Sequence, residues 1–316
     1  THGSISGAAQ NTSVGIGAMD AITSAEYTVA VGYNAGTALT SGNYNTAVGG
    51  NALITSTDGH SNTAIGMSAL KMTTGGDYNT AVGREAGVNI TTGGQNTAIG
   101  FEALHGHDNG VTGEGNTAVG MRAMGNATVT SANYNVALGI QAGYNITEAE
   151  KNIAVGYNAA QQLTTGADNV YIGKDAGRLA TTGSGNVAIG VDSLESLTGA
   201  KHNNTAIGRD TMKSMTTGHD NIAIGAYALD AADSASNTQN ICIGVYSGSG
   251  ALDGYGNVFV GYQTAASATS AQHNVAIGRD ALAGLTTGDD NVCIGAYAGK
   301  DTNAVEGGVY NIFIGS

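Results

Sequence analysis

The residues best suited to chemistry in this sequence are three aspartates that recur at nearly equal intervals. They are Asp175, Asp192 and Asp210. If each interval is one turn of a stacked fold, neighbouring carboxylates lie ~5 Å apart, which suits Ca²⁺ coordination or a pair of glycosidase carboxylates. Lys174 and Arg209 stand directly before two of them. We therefore favour a solvent-facing column of ion pairs over a catalytic site.

The densest group of metal-ligating residue types is the run His105, Gly106, His107 and Asp108. A metal site needs several ligands held at fixed distances. The remaining histidines share no repeat position with this run, so we interpret it as a solvated loop.

Tyrosines give a more suggestive pattern. Tyr227, Tyr246 and Tyr297 occupy the same place in a sequence repeat, and Tyr262 lies beside that place. An exposed row of tyrosine rings can stack on sugar rings, so these four residues are candidates for glycan contact. The alternative is that the rings cover a sheet edge or a seam between subunits.

We recognise no Ser-His-Asp arrangement, phosphate-binding loop or Cys/His cluster. We therefore expect no enzyme activity, no cofactor and no bound metal. The two cysteines, Cys242 and Cys293, lie three repeats apart, which corresponds to roughly 14 Å in a stack of strands and is too far for a disulfide.

A repeated sequence motif sets the spacing of all these residues. It begins with Asn, which we number position 1, and most copies follow a 17-residue period, with every exception longer. Such a period indicates a solenoid, in which insertions form loops on the outside. The eighteen places are Asn11, Thr28, Asn45, Asn62, Asn79, Asn96, Asn116, Asn135, Asn152, Asn169, Asn186, Asn204, Asn221, Asn240, Asn257, Asn274, Asn291 and Asn311.

Within each copy, the residue types predict one turn of a β-solenoid. Position 4 is always a branched aliphatic residue and position 5 is always Gly, so positions 2 to 4 read as a short strand. A small residue at position 8, such as Ala52, suggests a second short strand. A polar return, often Thr-Thr-Gly as at 73–75, then closes the turn.

Stacked turns place the same residue type in the same row. We expect the side-chain amides of Asn62, Asn79 and Asn96 to form a hydrogen-bonded ladder. The glycines at position 5 mark a backbone with positive φ or a place where no Cβ fits; Gly66, Gly83 and Gly100 are examples. The predicted fold is all-β, a β-solenoid (parallel β-roll) of about eighteen 17-residue turns. Residues 1–10 form a lead-in and residues 11–316 one repeat domain.

The strand faces predict self-association. Side chains alternate along a strand, so positions 2 and 4 share one face and position 3 takes the other. Both faces are apolar, and a lone solenoid buries only the inner one. A partner must cover the second face, and the thin core of a 17-residue turn needs support. We expect a homotrimer.

The composition of the chain restricts the classes of partner that it can bind. The chain has 51 Gly, no Pro and 11% charged residues, with a net charge of −13. The acidic balance argues against a nucleic-acid partner. No apolar run approaches ~18 residues, so we expect no membrane insertion.

The phrases "NTAVGGNAL", "NTAIGMSALKMTTG" and "NTAIGFEAL" resemble two groups of proteins. The short strand followed by Gly is similar to the head repeats of trimeric autotransporter adhesins. The longer phrase with its Thr-Thr-Gly return resembles the Asn-Thr-Ala-Ile-Gly repeats of phage tail-fibre proteins. The first resemblance implies a left-handed, trimeric parallel β-roll. The second implies a chain released by a C-terminal intramolecular chaperone that commonly cuts after Ser, the residue type at Ser316.

The resulting expectation is a structural and adhesive rod of a tail fibre or surface adhesin. It would act outside the cell, on a virion tail or a cell surface, with itself and a host-surface glycan or receptor as partners. Two alternatives stay open: a glycan depolymerase on a β-solenoid spike, and a subunit of an extracellular filament. Ice binding through the Thr residues of position 2 is disfavoured, because that position becomes Val or Ile in later copies.

Overall fold

The computed structural model of the chain describes residues 10–106, 110–126, 131–231, 237–250, 252–300 and 308–316. These residues form eighteen parallel three-residue strands and no α-helix. The predicted parallel β-solenoid is thereby confirmed, and its strands follow the 17-residue period in most copies. His107 and Asp108 lie outside the described residues. The chain divides into two compact units, 1–165 and 166–316.

In the first unit, nine strands pair in sequence order and in register, so that each position faces the same position of the next copy. Thr46 pairs with Thr63 and Ala47 with Ala64, for example. The strands are β1 (Thr12–Val14), β2 (Val29–Val31), β3 (Thr46–Val48), β4 (Thr63–Ile65), β5 (Thr80–Val82), β6 (Thr97–Ile99), β7 (Thr117–Val119), β8 (Val136–Leu138) and β9 (Ile153–Val155).

The second unit repeats this arrangement. Its strands pair in order and in register, as Val170 with Val187. They are β10 (Val170–Ile172), β11 (Val187–Ile189), β12 (Thr205–Ile207), β13 (Ile222–Ile224), β14 (Ile241–Ile243), β15 (Val258–Val260), β16 (Val275–Ile277), β17 (Val292–Ile294) and β18 (Ile312–Ile314).

The second strand expected at position 8 is wrong for the described residues, which form turns there. The reason is the backbone on either side of that position. Asn51 (φ 58°) and Leu53 (φ 53°) both take the left-handed conformation, which bends the chain instead of extending it. Their N–H groups still reach neighbouring turns, with Asn51 donating to Tyr33 O at 2.8 Å and Leu53 to Ala69 O at 3.0 Å. The segment is therefore hydrogen-bonded without being a strand.

The core of each unit lies inside the turns, where position 3 points inward and is fully buried in most copies. Positions 9 and 12 share the remaining volume. Leu53 at position 9 goes with Ser56 at position 12, whereas Gly87 goes with Ile90. A Cβ at Gly87 would lie 2.9 Å from Ile90 Cδ1. In these two turns a large side chain at one position accompanies a small one at the other, because the interior is close-packed. Other turns bury large side chains at both positions, as Met212 and Met215 do.

The glycine of position 5 is required on two grounds. Its φ lies between 124° and 143° in the described copies, a region that side chains with a Cβ disfavour. It also contacts the next turn directly, since a Cβ on Gly49 would lie 2.5 Å from Gly66 O. No other residue type allows the turns to approach so closely.

The asparagines of position 1 form a buried ladder within each unit. Asn79 Nδ2 donates to Asn62 Oδ1 at 3.2 Å and to Gly93 O at 2.9 Å. Asn79 Oδ1 in turn accepts from the backbone N–H of Asn96 at 3.0 Å and from its Nδ2 at 3.2 Å. One side chain thus satisfies buried backbone groups of two turns as well as its own amide, which is why a buried polar residue is stable here.

Gly49 and its neighbour Gly50 allow a test of the close contact between successive turns. Gly49→Ala should lower the free energy of unfolding by about 2 kcal/mol or more, because it adds strain at positive φ and a backbone clash. Gly50→Ala is the control, since nothing lies within 4 Å of a Cβ there, and it should stay within about 0.5 kcal/mol of wild type. Urea unfolding followed by circular dichroism measures both. Equal effects of the two substitutions would contradict this account.

The buried Asn ladder predicts that substitutions of Asn79 lower stability to different degrees. Asn79→Ala should cost about 3 kcal/mol, because it leaves buried donors and acceptors without partners. Asn79→Thr should cost less, because Thr28 occupies this position naturally and its Oγ1 accepts the Asn45 N–H at 3.3 Å. The thermal unfolding midpoints of the two variants provide the comparison. A Thr variant no more stable than the Ala variant would argue against hydrogen bonding as the cause.

Candidate functional site

A largely apolar strip, here called the outer strip, is made by positions 2, 4 and 6. Exposed basic side chains interrupt it at position 6 in four turns, namely Arg84, Lys174, Arg209 and Arg279. Position 3 points inward, so its neighbours in the strand face outward. Ile65 and Ile99 keep 40% and 38% of their surface exposed. Exposed members of the strip are Val14, Ile16, Tyr33, Ile65, Met67, Ile99, Met121, Leu138, Ile140, Ile153 and Tyr157 in the first unit, and Ile172, Ile189, Val191, Ile222, Ile224, Val245, Tyr262, Ile277, Ile294, Ile312 and Ile314 in the second.

The three aspartates of position 7 take part in ion pairs. Lys174 Nζ lies 3.2 Å from Asp175 Oδ2, and Arg209 Nε lies 3.0 Å from Asp210 Oδ2. These are the two pairs that the sequence suggested. The carboxylates offered for Ca²⁺ or glycosidase chemistry are therefore partnered by basic side chains of this chain.

Sequence reasoning missed the ion pairs made by position 10, both with the position-7 aspartates and with another position-10 side chain. Lys213 Nζ lies 3.0 Å from Asp192 Oδ2 and 2.8 Å from Asp210 Oδ1, while Arg178 Nε donates to Glu195 Oε1 at 2.9 Å. Lys213 thus joins carboxylates of two turns. Comparing positions 7 and 10 across neighbouring copies would have found this network, because side chains three residues apart meet in these turns.

Electrostatics support the ionised form of Asp210. Burial acts to raise the pKa of this carboxyl, but hydrogen bonds and charge from Lys213 and Arg209 outweigh burial, so that the pKa lies below its ordinary value. The same contacts, with Asp192, raise the pKa of Lys213. The group is a charge-balanced network, which differs from the unequal pair of carboxyls that acid–base catalysis uses.

The structure brings only two of the four candidate tyrosines together among the described residues. Tyr227 and Tyr246 stack with ring centroids 5.0 Å apart and planes 7° apart. Tyr297 instead packs under the guanidinium of Arg279, 4.6 Å from the ring centroid. Tyr262 is half exposed on the outer strip.

A second row of tyrosines, which sequence reasoning missed, immediately precedes position 1. Tyr27, Tyr44, Tyr78 and Tyr134 belong to it in the first unit, and all four are strongly exposed. Tyr27 and Tyr44 stack with centroids 5.2 Å apart. The signal was present in the same sequence repeat, at the place directly before the Asn.

The remaining candidate groups within the described residues are the two cysteines and His105. Cys242 and Cys293 are both free thiols, in agreement with the predicted absence of a disulfide. Burial raises the pKa of Cys242 to about 12 and that of Cys293 to about 11, so both stay protonated at neutral pH. His105 Nδ1 lies 2.8 Å from the carbonyl oxygen of Gly106. Across the described ranges, no three His, Cys, Asp or Glu residues are grouped to hold a metal ion.

The described residues also contain no helix of the length and apolar character needed to cross a membrane. No protein-family model matches the chain, and no curated protein matches it at a significant level.

The ion-pair network predicts that replacing Lys213 lowers thermal stability by an amount that depends on pH. The lowered pKa of Asp210 means that its contribution to stability is complete above the unfolded pKa of about 3.9 and is lost as pH falls through the folded value. Lys213→Met should therefore lower the unfolding midpoint by roughly 2–4 °C at pH 7, and by progressively less below about pH 4.

The matched control is Lys71→Met, at the same repeat position. Lys71 has no ion pair among the described residues, so its replacement should shift the midpoint little at any pH. Scanning calorimetry from pH 7 to pH 2.5 measures both variants. If the midpoint of Lys213→Met stays below that of wild type by the same amount over this range, the assigned role of Asp210 is wrong.

Proposed function

We propose that this chain is the structural and adhesive shaft of an extracellular fibre, either a phage tail fibre or a cell-surface adhesin. The observation that carries the proposal is the outer strip. Soluble proteins rarely leave long contiguous apolar surfaces uncovered, and such surfaces usually mark association sites. The strip recurs in every strand of both units, which suits a protein whose whole length is an assembly surface.

The proposed assembly is a homotrimer. A copy of the same chain is the natural partner, because the branched aliphatic side chain of position 4 recurs at every turn and can meet itself around a common axis. Strips from several copies would also add apolar core to turns whose own interior is mostly alanine at position 3. The number three follows the resemblance to tail-fibre and adhesin repeats.

The adhesive part of the proposal concerns the surface that association leaves free. The position-7 side chains and the tyrosines before position 1 lie outside the outer strip, on other parts of each turn. Exposed tyrosine rings provide flat faces for sugar rings, and the net charge of −13 fits a neutral partner better than an anionic one. A surface glycan is therefore the proposed receptor class.

The mass of the native assembly tests the trimer. Each chain has a mass of 31.3 kDa, so multi-angle light scattering should give about 94 kDa for three. Ile99→Lys places a charge in the outer strip and should shift the mass towards the single chain, because a charge buried in an apolar interface is strongly unfavourable.

Ser41→Lys is the control, since Ser41 is exposed in a bend away from the strip, and it should leave the trimer intact. Circular dichroism of both variants verifies the fold. A wild-type mass equal to one chain would refute the trimer, and long polymers would favour the filament alternative.

A further inference from the structure

A second ladder runs along the first unit, two residues before position 1. At this place a side chain accepts a hydrogen bond from the backbone N–H of the corresponding residue in the preceding turn. Asn43 Oδ1 accepts from Glu26 at 2.8 Å, His60 Nδ1 from Asn43 at 3.0 Å, and Asp77 Oδ1 from His60 at 2.7 Å. Farther along, Asn133 Oδ1 accepts from Glu114 at 2.8 Å. Asn, His and Asp thus serve the same purpose in successive turns.

Gly94 interrupts this ladder. It follows Asp77 in the series but has no side chain to accept a hydrogen bond. Among the described residues, the Asp77 N–H has no hydrogen-bond acceptor. A Cβ built on Gly94 would lie 3.1 Å from the carbonyl oxygen of Asp77 and 3.8 Å from that nitrogen, so a side chain at this position would lie beside the Asp77 N–H. The missing side chain leaves an unused donor.

A cavity of about 190 Å³ occupies this gap. Asp77, Tyr78, Gln95 and Glu114 line it together with Gly94. Its volume is below the ~300–1,000 Å³ of pockets that enclose drug-sized ligands, and it suits a single ring. The cavity thus lies where the second ladder meets the row of exposed tyrosines.

The lining determines which ring the cavity accepts. The Tyr78 side chain is 62% exposed and offers an apolar face for stacking. The carboxylates of Asp77 and Glu114 accept hydrogen bonds from hydroxyl groups, and the Asp77 N–H and the Gln95 amide can donate. None of the lining residues is basic. Two carboxylates with no basic residue in the lining repel an anionic ligand, so the cavity favours a neutral, hydroxyl-rich one.

We propose that the cavity between Asp77, Tyr78, Gln95 and Glu114 is a subsite for one neutral sugar residue of a surface glycan. This inference rests on the adhesive function proposed above and gives it a location in the first unit. It differs from the four tyrosine candidates of the sequence, none of which lies in this unit. The absence of a side chain at Gly94 creates the subsite.

Two substitutions remove the subsite by different routes. Tyr78→Ala removes the stacking face. Gly94→Asn fills the gap with the residue type found at Asn43 and Asn133, and its Oδ1 should accept the Asp77 N–H. The second variant should fold about as stably as wild type, because its new hydrogen bond offsets the close contact of its Cβ with the Asp77 carbonyl oxygen. This separates loss of binding from loss of structure. Tyr44→Ala is the matched control, because Tyr44 lies in the same row with similar exposure but does not line the cavity.

The measurement is biolayer interferometry with biotinylated β-galactoside, β-N-acetylglucosaminide, α-mannoside and α-sialoside probes. Wild type should bind at least one neutral probe more tightly than the sialoside. Tyr78→Ala and Gly94→Asn should each weaken that binding at least tenfold, while Tyr44→Ala changes it less than twofold. Thermal unfolding of each variant accompanies the binding data.

The contrary outcomes are distinct. Binding that survives both cavity substitutions would overturn the subsite and leave glycan adhesion standing. Preference for the sialoside would overturn the assignment of a neutral sugar. No binding to any probe would overturn the subsite and also count against the adhesive function, while the light-scattering mass would still decide the trimeric shaft independently.

Discussion

The structure depends on how closely successive turns approach one another at the glycine of position 5. In-register parallel pairing sets the distance between turns, and at this corner the backbone of one turn lies against the carbonyl of the next, as Gly49 does with Gly66. The buried Asn ladder lies a few residues away and has the same spacing. Together they make every turn a template for its neighbour, so that stability accumulates through nearest-neighbour contacts.

Much of this architecture is readable from the sequence because the period is nearly constant. Asn at position 1, Gly at position 5 and the alternating strand between them predict the parallel solenoid and its inward and outward faces. The second strand was wrong because small residues at position 8 look extended, whereas their neighbours Asn51 and Leu53 take the left-handed conformation. Asn at position 7 is a residue type that tolerates this conformation, and it was a signal that could have been used. Leu at position 9 gives no such warning in a single sequence.

The candidate site was less predictable for a related reason. The ion pairs of Asp175 and Asp210 with the residue directly before each are adjacent in sequence, but the links through Lys213 depend on how the turn folds back. The subsite near Tyr78 depends on a missing side chain at Gly94, in a chain with 51 glycines. Only the hydrogen bonds of Asn43, His60 and Asp77 show that a side chain is expected there. An interruption becomes visible when the regular pattern around it is known in three dimensions.

The direction of the hydrogen bonds has a mechanical consequence. Within each unit, the bonds between strands and those of the Asn ladder point along the stacking direction, from one turn to the next. A tensile force in that direction loads the turns in series, so each junction carries the full load and they do not share it. A unit pulled this way should therefore give way at its weakest junction and release chain in steps of one 17-residue turn. Resistance to pulling would be limited by the least stable turn, whereas thermal stability would grow with the number of turns.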